Sequence, residues 1–364
     1  MQQIIGAPIL TPSGWLRDGS VVTDAGKIID LQPRASLIDG AEVIDASGHC
    51  VVPGAIDMHF HGGGGFDFQQ TTEEAFRQVI ATHRRHGTTG FFPTLASSDR
   101  TMIEAAAETC QRLMLEPGSP ILGLHLEGPY LNPAMTGGQN PDCVRLPDPG
   151  EYIELIDRFP CIRRWDAAPE MDGAMEFARY ASSRGIVVGI AHTTADAATI
   201  RRAYDNGFTH ATHFYNAMTS VHKRGMYKAE GTVEGIYLIP DITVEIIADG
   251  IHVPPALMQL IYNIKGASHT ALVTDAMACT DSTTDRSFDP RVVIEDGVCI
   301  LRDHSALAGS IATMDRMVRT LTDTTDIPLA EVIRMVSETP ARIMGVFDRK
   351  GSIEPGKDAD LWIF

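Results

Sequence analysis

A (β/α)8 barrel of the TIM type, α/β in class and joined to a small β-sandwich domain, is the fold that the sequence predicts, on three observations. From about Gly54 onward, short apolar runs alternate with amphipathic helical patterns, the rhythm of a parallel sheet under helical cover. About eight such runs fit into roughly 280 residues, the size of a barrel of this kind. Both ends of the chain instead read as short strands broken by turns. Residues 1–53 and 340–364 are therefore expected to form the small β-domain, and 54–339 the barrel. A doubly wound open sheet is the rival arrangement.

Taken in order, "GWLRDGSVVTDAGKIIDLQP" and "AEVIDASGHCVVPG" carry the first strands. The barrel strands are expected in "VVPGAIDMHFH", "GTTGFFPTLAS", "SPILGLHLEG", "CIRRWDAAPE", "GIVVGIAHTT", "THATHFYNAM", "ITVEIIADG" and "TALVTDAM". Helices are expected in "TTEEAFRQVIATHRRHG", where Thr71 and Glu74 have capping-box spacing, and in "RTMIEAAAETCQRLML", "GAMEFARYASSRG", "ATIRRAYDNG" and "PALMQLIYNIKG". The helical "LAEVIRMVSETPARIMG" then leads into the strand-like "GSIEPGKDADLWIF".

With 44% hydrophobic residues in 364, the chain can bury a large core. A formal net charge of -17 argues against nucleic acid or an anionic membrane as partner. Apolar runs fall short of the ~20 residues of a membrane span, and "MQQIIGAPILTPSGW" does not read as a signal peptide, so a cytoplasmic protein is expected. Cys50, Cys110, Cys143, Cys161, Cys279 and Cys299 are scattered without a C-x-x-C pair, which points to reduced, structural thiols.

The chemistry-bearing residues sit at the ends of the apolar runs: His59 and His61, Glu127, His192, His213 and Asp275. Side chains two apart on a strand share a face, so His59 and His61 point to one place. In a barrel these ends converge on the face that carries active sites. Four imidazoles and two carboxylates there form a donor set for Zn²⁺ or another first-row divalent ion. His125 and His210 are expected to point away from this cluster, as a supporting interior residue and a structural one. The glycines at 62–65 lack the Lys-Ser/Thr of a phosphate loop and instead suit a sharp turn beside the ligands. His222, Lys223 and Arg224, with His252 after another strand, read as a candidate anion clamp.

Together "PGAIDMHFHG", "LGLHLEGPYLNP", "AHTTA", "HATHFYNAM", "ADGIHV", "LVTDAM" and "LAGS" resemble the successive motifs of the N-acetylglucosamine-6-phosphate deacetylase family, within the amidohydrolase superfamily. The resemblance implies that Glu127, His192 and His213 hold a principal metal. His59, His61 and Asp275 would hold a second, occupied in some members, and Asp275 would also be the general acid/base. Asn216, the Ala217 backbone, Arg224 and His252 would meet the sugar phosphate, Arg224 from a neighbouring subunit of a homodimer. Ala308 and Gly309 would lie by the acetyl group. Gln139 stands in "TGGQNP" where the family usually has histidine, which leaves the sugar open.

The expected reaction is metal-dependent removal of acetate from N-acetylglucosamine 6-phosphate, with Zn²⁺ as the expected ion and Fe²⁺, Mn²⁺ or Co²⁺ as alternatives. The alternatives are the galacto epimer as substrate, cyclic-amide hydrolysis of the dihydroorotase type, and a non-catalytic scaffold. Relatives of the dihydroorotase type bridge their metals with a carboxylated lysine, whereas Glu127 is the carboxylate available here.

Overall fold

Runs rich in Val, Ile and Phe, bounded by turns, form eight parallel strands in the computed structural model, which describes residues 1–283 and 287–364. They are β1 (Ala55–Phe60), β2 (Thr88–Leu95), β3 (Leu124–Glu127), β4 (Ile162–Ala167), β5 (Val187–Ile190), β6 (Phe208–Ala211), β7 (Thr243–Ile247) and β8 (Thr270–Val273). Each pairs with the next in chain order. The barrel is drawn shut at its C-terminal rim, where Asp275 N–H donates to the His59 carbonyl at 2.9 Å and Thr274 Oγ1 to Asp57 Oδ2 at 2.6 Å. Helices such as Glu73–Arg84 and Arg100–Met114 bury an apolar face against the strands: Phe76, Val79, Ile103, Ala107 and Cys110 join one core with Phe91, Leu126 and Trp165.

Below the rim the barrel interior is polar. Arg164 of β4, wholly buried, donates to Glu245 Oε2 at 2.5 Å and to Asp166 Oδ1 at 3.1 Å. His125 Nε2 bonds Asp166 Oδ2 at 2.8 Å, and His210 Nε2 bonds Glu245 Oε2 at 3.1 Å. Burial alone would raise the Asp166 and Glu245 carboxyls, but Arg164 holds both below the ordinary carboxylate range. Removing one partner of such a network leaves an uncompensated buried charge. His125 therefore does not point away from the cluster. Two residues before Glu127 on one strand, it shares the inward face, and its ring meets that of His59 edge-on at 4.8 Å.

The chain termini build two four-stranded sheets. One runs Lys27–Gln32, Ser20–Asp24, Gln2–Ile5, Glu42–Asp45; the other Leu361–Ile363, Val51–Pro53, Ile9–Thr11, Gly14–Leu16. Ile4, Ile9, Val21, Ile28, Val51 and Ile353 form a core shared by the two sheets, as in a sandwich. The last strand, Leu361–Ile363, pairs antiparallel with Val51–Pro53, directly before β1, so it ties the C-terminal segment to the barrel entrance.

Two local expectations are corrected. The first barrel helix is capped by Thr72, whose Oγ1 accepts from Ala75 N–H at 3.2 Å, and not by Thr71. Thr71, at φ 57°, ends a preceding turn of 3-10 helix at 68–70, whose capping box belongs to Asp67 and Gln70. The segment "LAEVIRMVSETPARIMG" is two helices, Leu329–Val336 and Glu338–Ile343, broken at Ser337 ahead of Pro340. Helices Pro149–Arg158, Thr232–Tyr237 and Met314–Thr324 lie outside the segments read as helical, as does a hairpin, Val292–Glu295 with Val298–Leu301.

Candidate active site and metal centre

Every strand-end residue singled out from the sequence reaches one point on the C-terminal rim. His59 lies within β1 and Glu127 closes β3, while His61, His192, His213 and Asp275 lie just past β1, β5, β6 and β8. His192, His213 and Asp275 sit in the left-handed region, at φ 46°, 29° and 46°. Such backbone costs about 1–3 kcal/mol per residue and persists only where its surroundings hold it. Here Asp275 N–H is held by the His59 carbonyl at 2.9 Å and His213 N–H by Glu245 Oε1 at 3.1 Å. The kinks end each strand abruptly and turn its last side chain over the barrel axis.

The six side chains fall into two buried triads, His59 with His61 and Asp275, and Glu127 with His192 and His213. Glu127 joins them. Its Oε1 lies 2.9 Å from Nε2 of both His192 and His213, and its Oε2 lies 3.2 Å from His61 Nε2 and 3.5 Å from His59 Nε2. Asp275 Oδ1 stands 3.2 Å from His61 Nε2 and 3.5 Å from His59 Nε2.

Nitrogen faces nitrogen inside each triad, at 3.2 Å between His192 and His213 and 3.3 Å between His59 and His61. Two nitrogens bound to one tetrahedral ion at about 2.0–2.1 Å stand about 3.3 Å apart. The Nδ1 atoms of His192, His213 and His59 meet the Met135 carbonyl (2.8 Å), the Asn216 carbonyl (3.1 Å) and Glu245 Oε1 (2.7 Å). With Nδ1–H given to an oxygen, each ring presents the lone pair of Nε2 to the cluster, the tautomer a metal requires. The residues fit a divalent ion.

The electrostatics agree with a cluster built for positive charge. Burial alone would lower His59 and His61, yet Asp275, Glu127 and, for His59, Glu245 raise His59 well above its ordinary value and His61 to about 9. Against the upward pull of burial, His59, His192 and His213 hold Glu127, and His59 and His61 hold Asp275, below the ordinary carboxylate range.

A cavity of about 390 Å³ opens above the triads. Gln139, Asn216, Ala217, His252, Ala308 and Gly309 all line it, with Ser97, Met135 and Met277. Gln139 Oε1 accepts from Ser97 N–H at 2.7 Å, and His252 Nδ1 bonds Asp249 Oδ2 at 2.7 Å. Asn216 Nδ2 and His252 Nε2 are buried without a hydrogen-bond partner. Arg224 is not brought into this cavity. It lies on an exposed hairpin, His222–Arg224 with Tyr227–Ala229, together with Lys223. Among the described residues lining the cavity there is no lysine or arginine.

Sequence reasoning missed three supports of the site. Arg164 and Glu245 were legible only as charges in the middle of apolar strand runs, a pattern that marks a buried partner but not which one. The hairpin at 292–301 frames the cavity through Val292, and Arg291 donates to the Gly138 and Gln139 carbonyls at 3.2 and 3.3 Å. Nothing in its composition places it there. Among the described residues, no helix is long and apolar enough to cross a membrane.

Comparison with known proteins agrees with this geometry. The model of the amidohydrolase family matches residues 50–364. An N-acetylglucosamine-6-phosphate deacetylase of Bacillus subtilis is 32% identical over 368 residues, covering 98% of this chain and 91% of that protein. An N-acetylgalactosamine-6-phosphate deacetylase of Escherichia coli is also 32% identical, covering 97% and 92%. Among solved structures, the N-acetylglucosamine-6-phosphate deacetylase of Pasteurella multocida superposes with a TM-score of 0.93 at 28% identity, covering 100% of this chain and 95% of that one. A mutant of the Mycobacterium smegmatis enzyme in complex with N-acetyl-D-glucosamine-6-phosphate gives 0.91 at 29%, covering 99% and 94%. On the match across most of its length, and on two candidate metal-binding triads at the rim of a (β/α)8 barrel, this chain belongs to the amidohydrolase family.

Proposed function

We propose that the protein hydrolyses the acetamide of N-acetylglucosamine 6-phosphate to acetate and glucosamine 6-phosphate. The observation that carries this reading is the pair of triads joined through Glu127 on the floor of a cavity with unpartnered polar groups on its wall. Glu127, His192 and His213 would hold the principal ion and His59, His61 and Asp275 the second. Zn²⁺ is the proposed ion, and Fe²⁺, Mn²⁺ or Co²⁺ also suits these nitrogen and oxygen donors. When bound, a divalent ion supplies Lewis acidity, polarising the acetyl carbonyl and bringing the pKa of a water from ~15.7 toward ~7.

Asp275 would take the proton of the attacking water and return it to the sugar nitrogen, without which an amine is a poor leaving group. Held below the usual carboxylate range by His59 and His61 against burial, it is ionised and able to accept. Asn216 Nδ2 and His252 Nε2, buried without partners, and the Ala217 backbone would bind the sugar phosphate. Gln139 would read the sugar, and Ala308 and Gly309 would flank the acetyl group. A phosphate also calls for a fixed cation, and the described lining offers none from lysine or arginine. Arg224 of a second subunit would supply it, making the enzyme a homodimer. This reading treats residues 1–53 and 340–364 as a supporting β-domain and 54–339 as the catalytic barrel, in a cytoplasmic protein.

N-acetylgalactosamine 6-phosphate is the second reading, favoured by relatives of that name at 32% identity in Escherichia coli and in Shewanella. Acetate release from both 6-phosphorylated N-acetylhexosamines is the test. Turnover of neither sinks the proposal, and a clear preference for the galacto epimer replaces it with the second reading.

A further inference from the structure

Glu245 is a wholly buried carboxylate in the middle of β7 that does not line the cavity. Its Oε1 accepts from His59 Nδ1 at 2.7 Å, from His213 N–H at 3.1 Å and from Arg164 Nη2 at 3.0 Å. Its Oε2 accepts from Arg164 Nη1 at 2.5 Å and His210 Nε2 at 3.1 Å. Donors on β4 and β6 thus fix the carboxylate from two sides, and Arg164 compensates its charge. Each triad has one member tied to it, His59 through its ring and His213 through its backbone. The anchors differ in kind, because His192 and His213 give Nδ1–H to neutral carbonyls and His59 gives it to a carboxylate.

We infer that Glu245 is the positioning residue of the second metal position. It holds His59 in the tautomer whose Nε2 faces His61 and Asp275, and through His213 N–H it links that position to the principal one. A charged acceptor behind an imidazole also makes it a stronger ligand than a neutral one does. The inference rests on the metal-centre reading above, and its test is metal binding, which needs no substrate. Because Arg164 keeps the carboxylate in place, the effect should follow the Glu245 charge and its distance from His59 and not barrel packing in general.

The experiment titrates purified wild type and Glu245→Gln with Zn²⁺ and with Co²⁺, reading ions per chain by elemental analysis and the Co²⁺ ligand-field spectrum. Wild type is expected to take two equivalents. Glu245→Gln should keep the first and bind the second about 10–100-fold more weakly, with loss of the second Co²⁺ signature. A second equivalent held at wild-type affinity in Glu245→Gln overturns the inference while leaving the metal centre intact, whereas wild type binding no ion sinks the metal reading itself. Should the variant not fold, histidine nitrogen resonances of Zn²⁺-loaded wild type decide, with His59 assigned by comparison with His59→Asn. A protonated Nδ1 and a coordinated Nε2 are expected, and the reverse arrangement overturns the assignment.

Discussion

The proposed reaction gives Asp275 two duties, as a ligand at the second metal position and as the proton carrier, and substitutions can separate them. Asp275→Asn keeps the shape and removes the proton acceptor. We expect kcat to fall at least ~100-fold with KM near that of wild type, read from steady-state acetate release. Retained turnover would move the proton transfer to another group. Glu127→Ala differs, because both oxygens of Glu127 lie between the triads. It should abolish tight binding of the principal ion, weaken the second and abolish activity. Elemental analysis checks this, and a variant with full metal content would contradict the bridging geometry.

At the scale of elements, two hairpins have different tasks. The turn at Gly62–Gly63 and Phe66–Asp67 follows directly on His61. A Cβ on Gly62 would lie 2.4 Å from the Phe66 carbonyl oxygen and 2.6 Å from Ala278 N, both backbone atoms that cannot swing aside. Gly62→Ala should therefore cost about 1–3 kcal/mol of stability, visible as a lowered Tm, and loosen His61 with it. An unchanged Tm would mean the loop relaxes freely. The exposed hairpin carrying Arg224 has no comparable packing. Arg224→Ala should leave Tm unchanged and raise KM roughly 10–100-fold for the phosphorylated sugar, yet change little for the same sugar without phosphate. Equal damage with both substrates would exclude Arg224 as the phosphate clamp.

For the whole molecule, protons and metal compete for one cluster. His61 is raised to about 9 in the folded, metal-free chain, above its ordinary value of ~6.5. Its protonation therefore stabilises the fold fully below about pH 6.5, and that contribution is lost as pH rises through about 9. Metal-free protein should lose Tm between these pH values, while metal-loaded protein, its imidazoles already deprotonated by the ion, should not show this loss. Thermal melts of chelator-treated and reloaded protein at pH 6.5 and 9 check it. Chelation should also lower Tm at constant pH, since the ion binds the folded chain in preference to the unfolded one.

Residue order alone determined the alternation of parallel strands and covering helices, because a strand buried on both faces needs an apolar run and a helix on its surface needs a 3.6-residue stripe, and both are written locally. Closure into a barrel against a doubly wound sheet was decided by the tertiary structure. His59, His61, Glu127, His192, His213 and Asp275 were legible for a related reason: a polar residue that ends an apolar run lies at the rim of a parallel barrel whatever the details of packing. The tertiary structure alone decided how they group. That Glu127 bridges two triads, that Glu245 and Arg164 brace them from within, and that Arg224 lies outside the cavity all depend on distances between residues far apart in the chain, 186 positions in the case of His59 and Glu245. Local periodicity carries no information on such separations. They are set when eight strands close into one ring and their inward side chains must share a single axis.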